Sequence, residues 1–331
     1  MDSPFPKSSS APGDGKIVAK LLPAGGTGLE AITYQYPLKL ISPSSHSDLK
    51  SVLVFILSYG GGLVGGDAVN LNVEVHPGAK LSLVTQGHTK IFKSPTADVV
   101  TSQTMNVCIG PGGALCLLPD PVQPFEHSVY TQTQIFRLAQ GASACVLDWV
   151  TQGRTARGED WDLIKWTGRN EIWSEPAASG PSSKPRLLVR DNVVLSGPDS
   201  IALGRPLRET MHELGIFATL ILKGDCFTTL GDFFLAEFDV LPRIGERDFR
   251  SADAKLQDDS NMSETDKWRV KRTTQERSSG LLWTAARVRS CVVVKFGAAS
   301  VEGGREWIGS MLSREGSIEA QFGRDALMCL R

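Results

Sequence analysis

The sequence lacks the cysteine and histidine patterns that hold a resident metal ion or a disulfide framework. Its six cysteines contain no C-x-x-C pair, and its five histidines contain no H-x-x-x-H or H-E-x-x-H pair. A zinc ribbon, a metalloprotease centre and a disulfide-rich secreted scaffold are therefore not expected. Reduced cysteines in a cytoplasmic protein fit this usage better.

A net charge and a long apolar run are lacking as well. Lys and Arg number 35 and Asp and Glu number 36, which gives a formal net charge of -1. No overall field draws such a chain to nucleic acid or to an anionic membrane. No stretch reaches the ~20 apolar residues of a membrane helix, and the first residues lack the apolar segment of a signal peptide. We expect a disordered tail at residues 1–16 and one domain over residues 17–331.

Alternating apolar and polar residues between positions 71 and 150 are typical of β-strands. The segment LNVEVHPGAKLSL recurs 34 positions later as MNVCIGPGGALCL and, more weakly, 29 positions further on within IFRLAQGASACVL. Equivalent positions are held by Val75, Ile109 and Leu138 and by Gly78, Gly112 and Gly141. The repeat predicts a mainly β fold of stacked antiparallel strands in a β-solenoid-like layered structure. An ordinary sandwich with similar turns is the alternative.

Helical spacing of apolar residues occurs only toward the C-terminus. The segments GDCFTTLGDFFLAEF (224–238) and EWIGSMLSREGSIEAQFGRDALMCL (306–330) repeat apolar residues every three or four positions, which predicts a few helices. Between them, residues 251–279 are highly charged and poor in aliphatic side chains. That composition predicts a disordered, solvated insertion.

Five glycines crowd the stretch YGGGLVGGD, directly behind the apolar run SVLVFIL. They are Gly60, Gly61, Gly62, Gly65 and Gly66. The spacing matches the start of a dinucleotide-binding loop, but that loop needs a following helix to hold the pyrophosphate, and DAVNLNVEV alternates as a strand. A nucleotide-binding enzyme is therefore the alternative, and close backbone packing is the preferred explanation of the glycines. Asp67, which ends the loop, is the residue with chemical interest.

Polar residues at the ends of apolar strands are the further candidates for function. They are Thr85, Gln86, Asp148, Arg154 and Glu159. Asp148 lies inside the run ACVLDWV, and a buried carboxylate must be paired, hydrogen-bonded or hydrated. A salt bridge from Asp148 to Arg154 or Arg157 is the structural alternative. No residues nominate a nucleophile with its base, so we do not expect an enzyme.

Three prolines lie close together in the segment LLPDPVQPF, namely Pro119, Pro121 and Pro124. They predict a rigid extended segment that cannot continue a sheet. Such a segment is a structural crossover or a docking edge for a partner, and the residues favour the crossover.

Four motifs together resemble one known family. GGGLVGGD, TQGHTKIFKS, LLPDPVQPFEHSVYTQTQIFRL and LDWVTQGRTARGEDW occur in the order and approximate spacing of the urease accessory protein family UreD, also called UreH. The resemblance covers about residues 55–175. It implies a non-enzymatic maturation factor that binds apo-urease and bridges it to UreF and, through UreF, to the GTPase UreG. It also implies nickel in transit along a polar internal route, with no permanently bound cofactor.

The resemblance and the strand-end residues together suggest which side chains form this route. We expect Asp67, Thr85, Asp148 and Glu159 to line or approach it, with Gln86 and Arg154 in support. Carboxylate and hydroxyl oxygens with water bind nickel without trapping it, unlike a cage of cysteines and histidines. The C-terminal helices are predicted either to form part of the UreF contact or to pack their apolar stripe on the protein's own sheet. A generic β-scaffold that binds unrelated partners remains the third alternative.

Overall fold

The structure is a computed structural model that describes residues 10–23, 25–43, 50–176, 184–241 and 262–331. Its strands are β1 (Asp14–Leu21), β2 (Thr27–Tyr34), β3 (Leu38–Ile41), β4 (Val52–Ser58), β5 (Ala68–Val75), β6 (Lys80–Val84), β7 (Thr89–Ile91), β8 (Thr101–Ile109), β9 (Ala114–Leu117), β10 (Val122–Pro124), β11 (Val129–Leu138), β12 (Ser143–Thr151), β13 (Lys165–Ser174), β14 (Arg186–Ser196), β15 (Ile216–Lys223), β16 (Leu282–Val288) and β17 (Cys291–Ala298). Its helices are α1 (Gly197–Ala202), α2 (Leu207–Thr210), α3 (Thr228–Asp239), α4 (Glu264–Ser278), α5 (Val301–Glu315) and α6 (Ser317–Phe322).

The strands form two mixed sheets. The first sheet has the order β14-β13-β11-β8-β5-β1-β2, and the second has the order β16-β17-β15-β12-β9-β6-β4-β3. The short strands β7 and β10 pair with each other, and β10 also pairs with β12. The mainly β class with helices toward the C-terminus is therefore confirmed.

The repeated segment alternates between the two sheets. Strands β5, β8, β11 and β13 lie side by side and parallel in the first sheet, whereas β6, β9 and β12 lie parallel in the second. Val75 pairs with Ile109, and Ile109 pairs with Leu138, so the equivalent positions are direct neighbours. Antiparallel pairing within the repeat is therefore wrong, because each turn carries the chain across to the other sheet instead of folding a hairpin. The solenoid-like description stays a prediction, since both sheets also contain antiparallel strands toward their edges.

The fold buries two layers of side chains, which differ in what covers them. The inner layer lies between the two sheets and contains residues such as Val146, Leu71 and Phe136. The helix layer lies between the second sheet and α3, α5 and α6, and contains Trp149, Phe296 and Trp307. Strand β12 is covered on both faces, so all nine of its residues are buried.

Two predicted boundaries need correction. Strand β1 begins at Asp14 and pairs with β2 and β5, so residues 14–16 do not belong to a tail; residues 1–9 lie outside the described part. The predicted insertion at residues 251–279 contains helix α4. Its first residues, 251–261, lie outside the described part of the structure. Helix α4 was missed because it buries arginine and one aromatic ring instead of aliphatic side chains: Arg272 is 3% exposed, and Trp268 packs on Phe233.

The C-terminal helices also use their apolar stripe inside the protein. Trp307, Ile308, Met311 and Leu312 of α5 are completely buried in the helix layer. That stripe therefore packs on the chain's own second sheet, and it is not the surface that would meet UreF. In the described part of the chain, no helix has both the length and the apolar character needed to cross a membrane.

The glycine stretch connects two strands of different sheets. Gly60 and Gly61 have φ values of 67° and 77°, and a Cβ at Gly62 would lie 2.8 Å from the carbonyl oxygen of Lys90. Only glycine tolerates both conditions easily. Strand β5 begins at Ala68, directly behind the loop, so the helix that a dinucleotide site requires does not follow Gly66.

The proline-rich segment is only partly a crossover. Pro119 and Pro121 lie outside any strand, but Pro124 ends β10, which pairs with β7 in parallel and touches β12 through Val122. The prediction that this segment cannot continue a sheet is therefore wrong for residues 122–124. A proline is accommodated there because β10 is short and lies off the main path of the sheet.

Candidate functional site

Polar side chains interrupt the inner layer on the face of β11 that points toward the second sheet. Alternate residues of β11 are buried, and they include Gln132 and Gln134 among apolar neighbours. Gln132 pairs across the sheet with Gln103, while Gln134 pairs with Asn170. Because neighbours in register share a face of the sheet, the first sheet presents a row of amides to β12.

Asp148 of β12 meets this row from the second sheet. Its carboxylate accepts hydrogen bonds from Gln132 Nε2 at 2.8 Å and from Asn170 Nδ2 at 2.7 Å, and the residue is 8% exposed. Burial raises the pKa of Asp148 because it penalises the charged form; the two amide hydrogen bonds oppose that rise, and the nearby Asp191 charge adds to it. The proposed salt bridge to Arg154 or Arg157 is wrong, because Asp148 forms no ion pair with any described residue and Arg154 pairs with Glu159.

A small cavity of about 40 Å³ lies beside Asp148 in the inner layer. It is large enough for ordered water, and its wall offers enough polar partners to hold it. We call it the polar cavity, and its polar lining residues are Thr85, Thr89, Gln103, Asp120, Gln132, Gln134 and Asp148. Of the side chains predicted to line the route, the structure brings Thr85 and Asp148 together at this cavity.

Asp120 also lines the polar cavity, and sequence reasoning missed it. Its Oδ2 accepts hydrogen bonds from the Thr85 hydroxyl at 3.1 Å and from the Gly87 amide at 2.8 Å, while Oδ1 accepts from Arg305 Nη2 at 2.9 Å. The backbone amide of Asp120 in turn donates to Thr85 Oγ1 at 2.7 Å. The available signal was a lone carboxylate within LLPDPVQPF, the same kind of placement that drew attention to Asp148.

The Thr85–Gly87 loop separates the polar cavity from the outside. Thr85, Gln86 and Gly87 border two open pockets of about 340 and 310 Å³, and Thr85 also lines the polar cavity. Gln86 is exposed and lies in both open pockets. The wall between surface and interior is thus formed by the hydrogen-bonded pair Thr85 and Asp120.

The histidine next to this loop is partly buried. Burial lowers the pKa of His88, and the Asp120 carboxylate opposes that effect. A neutral imidazole therefore adds no positive charge beside the Asp120 wall at neutral pH.

The remaining predicted residues stand apart from the polar cavity. Asp67 accepts a hydrogen bond from the Val64 amide at 2.9 Å and stabilises the turn that ends the glycine stretch. Glu159 pairs with Arg154, whose guanidinium lies 3.9 Å from the centre of the Phe125 ring. Burial opposes ionisation of Glu159, but hydrogen bonds from the Arg154 side chain and backbone outweigh it and hold its pKa below the usual value. None of these three residues lines the polar cavity.

The site contains no ready-made cage for a metal. In the ranges that the structure describes, no three histidine, cysteine, aspartate or glutamate side chains are grouped to hold an ion. All six cysteines fall within these ranges and are free thiols. The donors at the polar cavity are carboxylate, amide and hydroxyl oxygens, which suit weakly held, hydrated divalent cations.

Comparison with known proteins gives one consistent result. The family model described as UreD urease accessory protein matches residues 13–328, nearly the whole chain. A Schizosaccharomyces pombe protein called "Uncharacterized urease accessory protein ureD-like" is 31% identical over 84% of this chain and 86% of its own length. "Urease accessory protein 4" of Cryptococcus neoformans is 28% identical over 92% and 90%. "Urease accessory protein UreD" of Anaeromyxobacter is 29% identical over 98% and 92%. The chain therefore belongs to the UreD family of urease accessory proteins.

Proposed function

We propose that this chain is a non-catalytic urease maturation factor that binds apo-urease and bridges it to UreF and, through UreF, to the GTPase UreG. Nickel is the cargo of this complex and crosses the protein through the polar cavity. Membership of the UreD family supports the role in urease maturation. The nickel route and the named partners are the further steps of the proposal.

The observation that carries the nickel route is Asp148, a buried carboxylate with two amide partners and no cation partner among the described residues. An ionised carboxylate in such a place is costly unless a cation or water compensates it. A hydrated divalent ion that passes through the polar cavity supplies this compensation. Asp120, which also lines the polar cavity, supplies a second carboxylate.

The chemistry of the lining suits transit more than storage. Nickel binds nitrogen and sulfur donors tightly, whereas hydroxyl, amide and carboxylate oxygens with retained waters release it more easily. Thr85 and the glutamines that line the cavity supply such oxygens beside the two aspartates. A carrier needs this weakness, because the urease active site must take the ion away.

The test is reconstitution of urease from purified apo-urease, UreF, UreG, GTP, nickel and bicarbonate, with wild-type or variant chain. Asp148→Ala combined with Thr85→Val removes two oxygen donors of the polar cavity, and we expect urease activation to fall by about ten-fold or more. Assembly of the complex, followed by size-exclusion chromatography, is expected to remain. Asp67→Ala is the matched control, because it removes a carboxylate outside the cavity, and we expect it to activate normally.

Three outcomes contradict the proposal or one of its parts. Full activation by the double variant rules out the polar cavity as the route. A variant that is folded but no longer joins the complex assigns these residues to partner binding instead of nickel passage. The partner assignment itself is refuted if the wild-type chain captures neither apo-urease nor UreF.

A further inference from the structure

Asp148 has a second polar neighbourhood, on β13, β14 and β17. Asn170, which donates to Asp148, pairs in register with Asp191 of β14. Asp191 accepts a hydrogen bond from the Lys295 ammonium at Oδ1, at 2.5 Å. Both sheets therefore contribute to one cluster of Asp148, Asn170, Asp191 and Lys295, which we call the cation station.

Two oxygen atoms of this cluster lack a hydrogen-bond donor. Asn170 Oδ1 and Asp191 Oδ2 are buried and accept no hydrogen bond from any described residue. Asn170 is 2% exposed and Asp191 9%. A buried acceptor without a donor destabilises the folded state. These two oxygens belong to one cluster with the Asp148 carboxylate, which has no cation partner among the described residues, so the cluster favours a positively charged or hydrogen-bond-donating ligand.

The charges of the cluster do not cancel. With both aspartates ionised, Asp148 and Asp191 carry two negative charges against one positive charge on Lys295. The Asp191 charge reaches Asp148, since it contributes to the raised pKa of that group. Two neutral groups lie beside the cluster: Thr219 of β15 is in register with Asp148 and Lys295, and the Lys295 ammonium lies 5.5 Å from the Phe217 ring centre.

Lys295 differs from the other members because it reaches solvent. Its side chain is 35% exposed, whereas the Asp191 side chain is 10% exposed. A lysine has a flexible stem and can turn its ammonium outward while the aspartates stay in place. Lys295 therefore acts as an internal counter-ion that a stronger cation can displace.

We propose that Asp148, Asn170 and Asp191 bind a hydrated divalent cation between the two sheets, in competition with the Lys295 ammonium. The ligands are two carboxylates and one amide oxygen, a set that holds an oxygen-preferring divalent ion weakly and leaves it several waters. The identity of the ion as nickel rests on the function proposed above. The station itself requires only a divalent cation.

Direct binding of Ni²⁺ to the purified full-length chain tests the station, by isothermal titration calorimetry and by equilibrium dialysis. Asp191→Asn keeps the shape of the side chain and removes a ligand charge, so we expect it to weaken binding by about ten-fold or more. Lys295→Met removes the competing ammonium, and we expect it to tighten binding. Glu74→Gln is the matched control. It alters an exposed ion pair between Glu74 of β5 and Lys16 of β1, and we expect it to leave Ni²⁺ binding unchanged.

Asp191→Asn tests the station even if Lys295→Met is unstable. Asp191→Asn reduces the buried negative charge, so it folds, as thermal melting would verify. Equal Ni²⁺ affinity of wild type and Asp191→Asn overturns the station, and so does weaker binding by a folded Lys295→Met.

The station and the nickel route fail in different ways. Lost binding by Asp191→Asn with normal urease activation leaves the station standing and removes it from the route. Retained binding by Asp191→Asn, with activation lost in the polar-cavity variant, leaves the route standing and refutes the station.

Discussion

The two faces of strand β12 lie in layers of opposite character. Leu147 and Trp149 enter the helix layer, whereas Val146, Asp148 and Val150 enter the inner layer. All of them are buried, so burial does not separate the two faces. The difference lies in what the polar atoms of each layer have as partners.

In the helix layer, every buried carboxylate has an arginine. Glu237 pairs with Arg269 and Arg272, and Glu276 pairs with Arg272 and accepts a hydrogen bond from Trp307 Nε1 at 2.9 Å. Among the described residues, the unpartnered polar atoms there are N–H donors, namely Arg272 Nε, Gln275 Nε2, Trp283 Nε1 and Arg305 Nε. Aromatic rings lie close by, and Arg272 stands 5.3 and 5.5 Å from two tryptophan ring centres. The buried carboxylates Glu237 and Glu276 of this layer are therefore already paired with arginine.

In the inner layer, the unpartnered polar atoms of the described residues are mainly acceptors instead of donors. Asp148 has no arginine or lysine partner among the described residues, and Asn170 Oδ1 and Asp191 Oδ2 are acceptors without donors. Trp166 Nε1 is the exception, an unpartnered donor in this layer. An excess of acceptor oxygens attracts cations and water, so the balance of donors and acceptors distinguishes a structural layer from a candidate route.

The largest effect on stability is expected in the helix layer, from Trp307→Ala. Trp307 is fully buried, and its ring centre lies 4.9 Å from that of Phe296 and 5.3 Å from that of Trp283. Loss of this ring leaves a cavity and should lower the free energy of unfolding by about 3–5 kcal/mol. Urea denaturation measures this, with Trp307→Phe as the milder control. A loss below about 1 kcal/mol would show that the layer is not closely packed.

A smaller loss is expected when a carboxylate of the helix layer loses its charge. Glu237→Gln weakens the ion pairs to Arg269 and to the buried Arg272, which keeps Glu276 as its partner. Because hydrogen bonds to charged groups contribute more than neutral ones, we expect a loss of about 2 kcal/mol in the same denaturation assay. An unchanged or increased stability would contradict the assignment of these charges to structure.

The inner layer should respond in the opposite direction. Burial raises the pKa of Asp148 above its ordinary value of 3.8, so the ionised carboxylate destabilises the folded state. Its favourable contribution is complete below pH 3.8 and is lost as pH rises through the folded-state pKa. Asp148→Asn should therefore be more stable than wild type at pH 7, by about 1 kcal/mol, and the difference should vanish in acid. Urea denaturation across pH checks this.

Glu159→Gln is the control of opposite sign. The pKa of Glu159 is lowered, so its contribution is present above the ordinary value of 4.5 and is lost as pH falls through the folded-state pKa. The glutamine variant should be less stable than wild type at pH 7, and this deficit should shrink in acid. A gain in stability for both variants, or for neither, would remove the contrast between a paired and an unpaired carboxylate.

The alternation of apolar and polar residues predicted many of the strands, because side chains in a strand alternate between its two faces. Alternation between positions 71 and 150 predicted the strands, and the spacing of the repeat placed Val75, Ile109 and Leu138 in equivalent positions, which are now direct neighbours. Pairing direction was not encoded in that alternation, since a strand–turn–strand unit looks the same whether its strands share a sheet or cross to another. Helix α4 was missed for a related reason, because charged residues that pair inside a protein look like a solvated loop in one dimension.

The candidate site was only partly visible in one dimension. Asp148 stood out because a carboxylate within an apolar run is unusual, and Thr85 stood out as a strand end; both line the polar cavity. Asp67, Arg154 and Glu159 carried the same kind of signal but serve a turn and a loop. The sequence did not single out the other members of the cation station, Asn170, Asp191 and Lys295. They lie in ordinary alternating strands, and the role proposed for them depends on their partners across the sheets.

The sequence by itself determined the family, the mainly β class and the need for Asp148 to have a partner, since motif order, period and the cost of a buried charge are local or additive properties. Only the tertiary structure decided that the repeat is parallel, that Asp120 and Asp148 line one cavity, and that Asp148 accepts hydrogen bonds from amides instead of pairing with an arginine. Those facts depend on which strands meet in space, because the fold brings Gln132 and Asn170, 16 and 22 positions away in the chain, to Asp148.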